Sequence, residues 1–260
     1  MHEVEASHWW YRGLRAMLGR LLVRHAISET PVILDAGCGT GENLRFMEER
    51  MPRARFIALD VSPDALRHIR PSANTTLLAG DVNALPLPDA SVDLIVACDL
   101  LGQSGVALAL AAGHFHRVLK PGGVVLANVP AFRCLQGEHD QAVHVEKRFA
   151  RGELSAAFHP AGFHDTEERF WNMLTLPPML AHRVLTRLRV SSGEPLRSDL
   201  KLTPAWLNPI LSRWLEFEAA LACRLPLPCG SSLFVVARKV VPSFSLVNPI
   251  RHNPSRPIVS

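Results

Sequence analysis

Two acids and three glycines carry the first chemistry in this chain. Asp35 follows the apolar run Val32-Ile33-Leu34, and Gly37, Gly39 and Gly41 come next at alternate positions. A β-type apolar run ending in an acid, then spaced glycines, predicts a buried strand, a tight turn and a helix from about Glu42. Glycine accepts positive φ and lets a ligand approach the bare backbone. The first N–H groups of the helix then face whatever lies over the turn. A dinucleotide fingerprint G-x-G-x-x-G would place glycines at 37, 39 and 42, but position 42 is Glu42. Asp35, at the strand end, suits an ammonium group. Asp60 ends a second apolar run, Phe56-Ile57-Ala58-Leu59. An acid there accepts both hydroxyls of a ribose. An amino acid joined to an adenosine fits all three features.

A second set of residues could move a proton. His139, Asp140 and His144 stand close together in the stretch 138–149. Histidine is the usual base near neutral pH. A separation of five residues does not place the two histidines on one helical face, so no metal site is read from them. His159, before Pro160, reads as structural.

Four motifs, in this order and at these intervals, carry a family likeness. Leu34–Gly41, Asp60, Gly80-Asp81-Val82 and Arg117–Gly123 together resemble a class I S-adenosylmethionine-dependent methyltransferase, over about Pro31 to Val129. The resemblance implies an α/β, Rossmann-like fold: a mostly parallel seven-stranded sheet with an antiparallel edge strand. It implies S-adenosyl-L-methionine as cofactor and S-adenosyl-L-homocysteine as product. The matching cofactor positions are Asp35, Gly37, Gly39, Gly41, Asp60, Val61, Asp81, Val82 and Cys98. In such enzymes the acid at Asp81 takes the exocyclic amine of adenine, and the N–H of Val82 reaches a ring nitrogen. The stretch 138–149 resembles a histidine- and arginine-bearing loop of several small-molecule methyltransferases. The start His8-Trp9-Trp10-Tyr11-Arg12 is similar to one small-molecule subgroup, where an aromatic and an arginine close the cofactor pocket. That gives Tyr11 and Arg12 a cofactor role. The residues themselves leave a second reading open, an aromatic plug that packs a helix onto the sheet.

These residues need a scaffold, and the pattern supplies one. Helices are expected over 8–27, Glu42–Arg50, from Ser62-Pro63, over Ala107–Leu119, from Ala150 to about His159, and over Leu180–Leu188 and Pro204–Leu225. Strands are expected at Val32–Ala36, Phe56–Asp60, Thr76–Ala79, Ser91–Ala97, Val124–Val129, Phe163–Phe170 and Ser231–Arg238. Lys120-Pro121-Gly122-Gly123 is expected to stop the fourth of these helices, with His114 and His116 on its solvated face. The division is then a lid over 1–30, a cofactor-binding domain over 31–170 and 231–240, a helical cap insertion over 171–230, and a tail without order over 241–260. Leu207, Ile210, Leu211, Trp214 and Leu215 form a stripe that a helix must bury. The domain's own core, a second subunit or a bulky apolar substrate could each bury it, and plain packing accounts for most of these residues. Because the insertion lies between the last two strands, it is also expected to wall the acceptor pocket, with Trp171 and Asn172 at its entrance.

Composition narrows the class. The 260 residues are 48% hydrophobic and 20% charged, as in a globular domain. No apolar run reaches the length of a membrane span. Five scattered cysteines without a C-x-x-C pair suggest reduced thiols and a cytoplasmic protein. A formal charge of +4 without a basic block gives no sign of a nucleic-acid partner. The expectation is methyl transfer to a small or lipid-like acceptor through an O, N or C nucleophile, with His139 or His144 as base and Asp140 beside them. A homodimer is left open. The alternatives are a binding protein that keeps the fold without catalysis and a nicotinamide-dependent reductase.

Overall fold

The computed structural model describes residues 8–25, 28–137, 140–141, 143–181, 204 and 206–240. The expected helix over Leu180–Leu188 falls almost wholly outside these residues, and the expected tail over 241–260 falls wholly outside them. The elements run α1 (Trp9–His25), β1 (Val32–Ala36), α2 (Glu42–Arg50), β2 (Arg55–Asp60), α3 (Pro63–Leu66), β3 (Thr75–Ala79), β4 (Val92–Cys98), α4 (Leu108–Val118), β5 (Leu119–Pro130), α5 (Glu153–Phe158), β6 (Phe163–Trp171), α6 (Leu207–Ala222) and β7 (Ser232–Lys239). The seven strands form one sheet in the order β3-β2-β1-β4-β5-β7-β6. β7 is antiparallel to both neighbours and the other pairings are parallel. The antiparallel strand therefore sits one place in from the edge, and β6 forms the edge itself.

Every residue of β1 is buried, and β4 is buried up to its last residue. A parallel sheet covered on both faces needs such continuous apolar runs. Asp35 and Asp93 are the polar exceptions; Asp93 Oδ2 takes the N–H of Val32 and the Lys120 ammonium, which ties the start of β1 to the start of β5.

The segment Lys120–Gly123 corrects the expectation made for it. α4 ends at Val118, and the following leucine is already extended and paired with Val92. The Pro-Gly-Gly stretch is a bulge within β5 and lies beyond the end of α4. His116 is corrected as well. Its ring stands edge-on to Phe163 at 5.3 Å, half-buried, and burial lowers its pKa.

α6 lies alongside α1 and runs in the same direction. The Trp9 N–H donates to Asn208 Oδ1, Arg12 pairs with Glu216, and Arg24 donates to the Cys223 carbonyl. Close approach depends on Gly13. A Cβ there would fall 2.7 Å from Leu215 Cδ1, so any side chain would push the helices apart. The buried face of α6 is Ser212, Leu215, Glu218, Ala219 and Ala222. Ile210 and Trp214, expected inside the stripe, are exposed.

Candidate active site

The turn after β1 is built as its residue types require. Gly37, Gly39 and Gly41 all have positive φ, at 71°, 53° and 88°. Only Gly39 is open on its Cβ side, with nothing within 4 Å. The bare backbone at Gly39 therefore faces free space. Gly41 is the N-cap of α2, in the left-handed conformation and without a side-chain cap hydrogen bond. Glu42, where the dinucleotide pattern needs glycine, is buried and paired with Arg45 at 2.8 Å.

Asp35 and Asp60 flank this turn. Asp60 Oδ2 accepts the Gly39 N–H at 2.8 Å, and Oδ1 accepts the Ser62 N–H at 2.9 Å. The acid thus shapes the glycine turn, and each oxygen retains a lone pair. Asp35 is 2% exposed, and its Oδ2 has no hydrogen-bond partner among the described residues. Burial, then the charge of Asp60, pushes its carboxyl up to about 7. A buried carboxylate without a partner, beside an open glycine, lacks a cation. An amino acid's ammonium group supplies that cation, so the residues fit S-adenosylmethionine. Val61 is 74% exposed next to Asp60, an apolar seat at the mouth of the cleft.

Asp81 is exposed, and Asn83 engages both its oxygens, with its N–H at 2.8 Å and its Nδ2 at 3.3 Å. Asn83 also donates to the Gly105 carbonyl and accepts the Ala107 N–H at the start of α4. One side chain thereby fixes the turn after β3 against the turn after β4. Sequence reasoning passed over Asn83, although an asparagine two residues after an aspartate is an available turn signal. Val82 is buried behind it.

The N-terminal aromatics act first as packing. Trp10 lies 5.6 Å from Trp171 and 5.0 Å from Tyr11. Tyr11 is half-buried, and Arg12 reaches Glu216 on α6 at 2.9 Å. Arg12 thus belongs to the contact of α1 with α6, and Tyr11 stands edge-on to Trp10, the residue that reaches Trp171 of β6.

Beyond the carboxyl ends of the strands lies the ground where open α/β sheets hold ligands. Backbone strain collects there. Asp99 after β4, Phe132 after β5, Asn172 after β6 and His144 in the following loop all have positive φ, between 56° and 61°. Each such residue costs about 1–3 kcal/mol unless its surroundings hold it, and such strain gathers at functional sites. Cys98 is half-buried, and its thiol is pushed well up by burial. Asp99 comes next. Its Oδ1 accepts from Asn128 Nδ2 at 2.8 Å, and Asn128 Oδ1 accepts from Trp171 Nε1 at 2.8 Å. Burial lifts the Asp99 carboxyl to about 7, although the Asn128 bond and Arg148 pull it down.

The structure corrects the expectation made for the pocket entrance. Trp171 is 0% exposed and Asn172 1%, so neither stands at an entrance; both are core. Asp140 is buried in an ion pair, 2% exposed. Arg148 donates to both of its oxygens, at 2.9 and 2.7 Å, and the Gly137 N–H adds a third bond. His144 is exposed, and its carbonyl takes the Ser104 N–H, which ties its loop to the turn after β4. His139 lies outside the described residues. Among the described residues no group of acids, histidines and cysteines could hold a metal.

A cavity of about 450 Å³ opens between the turn after β4 and the loop 144–149, lined in part by Gln103, Arg133, Lys147 and Arg148. Lys147 first, with Arg133 adding, draws Glu153 down to about 2. The cations at this end of the sheet are matched by acids: Arg133 and Lys147 both pair with Glu153, Arg148 pairs with Asp140, and Glu146 also lines the cavity.

The comparisons agree with this geometry. The profile of a family described as a methyltransferase domain matches residues 33–123, the stretch from β1 to the bulge of β5. Residues 33–123 thus carry a methyltransferase domain, in the Rossmann-like fold of the class I S-adenosylmethionine-dependent enzymes. The malonyl-[acyl-carrier protein] O-methyltransferase of Dechloromonas aromatica is 35% identical over 137 residues, 52% of this chain and 47% of that one. That of Serratia marcescens is 40% identical over 105 residues, 40% of each chain. The enzyme 1 of Coxiella burnetii is 37% identical over 191 residues, 72% of this chain and 62% of that one. The chain thus spans less than two thirds of each relative's length. Among solved structures, a SAM-dependent methyltransferase from Archaeoglobus fulgidus has a TM-score of 0.55 at 15% identity, covering 86% of this chain and 94% of its own. The [4+2]-cyclase SpnF has a TM-score of 0.54 at 18% identity, covering 87% and 82%. At such identities the likeness shows the fold alone, and the fold by itself does not name a reaction.

Proposed function

We propose that this methyltransferase moves the methyl group of S-adenosylmethionine to an oxygen of a small or lipid-like acceptor, with Asp99 as the group that meets the acceptor. The observation that carries this reading is the strained, half-buried Asp99 carboxylate at the carboxyl end of β4, held on one oxygen by Asn128. A sulfonium methyl is already activated, so the protein's task is alignment and exclusion of water. In this reading Asp35 holds the ammonium, Asp60 the ribose hydroxyls, and Val61, Asp81 and Val82 the adenine. The free oxygen of Asp99 receives the proton of a hydroxyl or carboxyl acceptor. The names of the relatives, O-methyltransferases acting on a malonyl group carried by a protein, support an oxygen as the methylated atom. His144 and His139 stay in this reading as loop residues that could pass the proton outward. We also keep 31–170 with 231–240 as the cofactor domain, 171–230 as its insertion, and the cytoplasm as location; the described cysteines are free thiols.

Calorimetry with S-adenosylmethionine and with NADH tests the cofactor side. An untargeted metabolite comparison with and without the gene, looking for a mass gain of one methyl, tests the acceptor. Binding of NADH alone would sink the reading. Tight S-adenosylmethionine binding without any methylated product would return the non-catalytic binding protein to first place.

A further inference from the structure

We infer that the outer face of α6 seats the protein on an anionic bilayer surface. This rests in part on the lipid-like acceptor proposed above. Seven of the eleven exposed large hydrophobic side chains among the described residues lie between Leu174 and Leu225, in the insertion between β6 and β7. Four of them, Trp206, Ile210, Trp214 and Phe217, are 69%, 57%, 44% and 61% exposed. Their spacing of four, four and three places them along one side of the helix. The opposite side, centred on Leu215, Ala219 and Ala222, is buried. So α6 is apolar on two faces, and only one of them is needed to hold the fold.

The stripe has the composition of an interface helix. Tryptophan and phenylalanine sit well at the boundary between headgroups and acyl chains, and cations beside them attract anionic lipids. Residues 171–230 contain seven Arg and Lys against four Asp and Glu. Of the two acids on α6, Glu216 has its charge matched by Arg12 of α1 at the surface, and Glu218 is buried against the Met173 N–H. Arg213 is exposed within the stripe's own span, and Arg224 is exposed just past its end. Among the described residues of this segment, Arg213 and Arg224 are thus exposed cations beside the stripe, with no exposed acid left unmatched. The stripe begins at the end of α6 where Asn208 caps Trp9, and Glu218 meets the backbone just past the carboxyl end of β6. Docking on this face brings the carboxyl edge of the sheet close to the lipid.

The test is co-sedimentation of the full chain with vesicles. One set is phosphatidylcholine alone, and the other adds phosphatidylglycerol at about one part in four. Binding should appear with the mixed vesicles and fall at least about tenfold with the neutral ones. The combined variant Trp206→Ser, Trp214→Ser, Phe217→Ser should lose binding by at least about tenfold, and Arg213→Glu should weaken it several-fold. Melting temperature and S-adenosylmethionine affinity should stay at parental values in both. No sedimentation with mixed vesicles overturns the inference, and so does a dimer in light scattering that the serine variant dissolves. Vesicle binding is read without acceptor or cofactor, so failure of docking and failure of methyl transfer are separate results.

Discussion

Asn128 holds one oxygen of Asp99 at 2.8 Å and leaves the other without a hydrogen bond among the described residues. The same amide is anchored from behind by the Trp171 indole N–H. A carboxylate held on one side and open on the other is poised to take a proton. Asp99→Asn should cut turnover by roughly 10²–10⁴ with S-adenosylmethionine affinity unchanged. Asp99 must be ionised to act, and burial holds its carboxyl near 7. Turnover should therefore climb with pH up to about 7 and level off above it, and the asparagine variant should lose that inflection. Parental turnover in Asp99→Asn, with the inflection intact, would remove Asp99 from the reaction.

Asp35 sets a second pH dependence, this time in binding. Its folded carboxyl titrates near 7, well above the ordinary carboxylate range. Between about pH 4 and 7 the folded chain thus binds more protons than the unfolded one. Stability from this group is full below that window and is lost as pH rises through it. An ammonium group needs the ionised acid, so cofactor affinity should rise with pH, by up to about tenfold per unit, until about 7. Calorimetry in buffers of different ionisation enthalpy should show proton release on binding at pH 6. Asp35→Asn should bind weakly at every pH and release no proton there. An affinity independent of pH in the parent would refute the ammonium contact.

The glycine turn gives a third test. Asp60→Ala removes the acceptor for the Gly39 and Ser62 N–H groups as well as any ribose contact. Hydrogen bonds to a charged group contribute about 1.5–3 kcal/mol each, so affinity should fall at least about tenfold and the turn should loosen. Gly39→Val combines a β-branched side chain with φ of 53° in the open space of the cleft. It should abolish binding while the melting temperature falls only modestly. Unchanged calorimetric affinity in both variants would end the cofactor assignment for this turn.

The core of this fold could be read from the chain because it is local. Val32–Ala36 ends in an acid, the glycines that follow need positive φ, and Ser62-Pro63 is a cap and a first turn; each signal acts within a few residues. What stayed hidden was long-range. Trp171 and Asn172 looked like pocket residues because aromatic and amide side chains suit a ligand. The structure instead binds Trp171 to Asn128, 43 positions away, and Asn172 to Ser231, 59 away. Ile210 and Trp214 share an apolar period with Leu211 and Leu215, and periodicity cannot say which half of a wide stripe meets α1. That choice is made by Gly13, whose missing side chain admits Leu215.

The pair formed by Asp140 and Arg148 separates a structural role from a catalytic one. The two side chains are 2% and 5% exposed, and the guanidinium also donates to the Ala131 carbonyl. The pair thus fastens the loop after β5 to the strand it leaves. Removing one partner of a buried pair strands the other charge at a cost of roughly 3–5 kcal/mol. Arg148→Met should therefore lower the melting temperature markedly and open the loop to proteolysis near residue 144. Asp140→Asn keeps the shape and most of the hydrogen bonds, so it should cost less. Assayed well below its melting temperature with saturating acceptor, Asp140→Asn should turn over within a few-fold of the parent, far from the loss of about 10² or more that follows removal of a proton carrier. A hundredfold loss of turnover with stability unchanged would restore Asp140 to the reaction and displace Asp99 as the sole acid facing the acceptor.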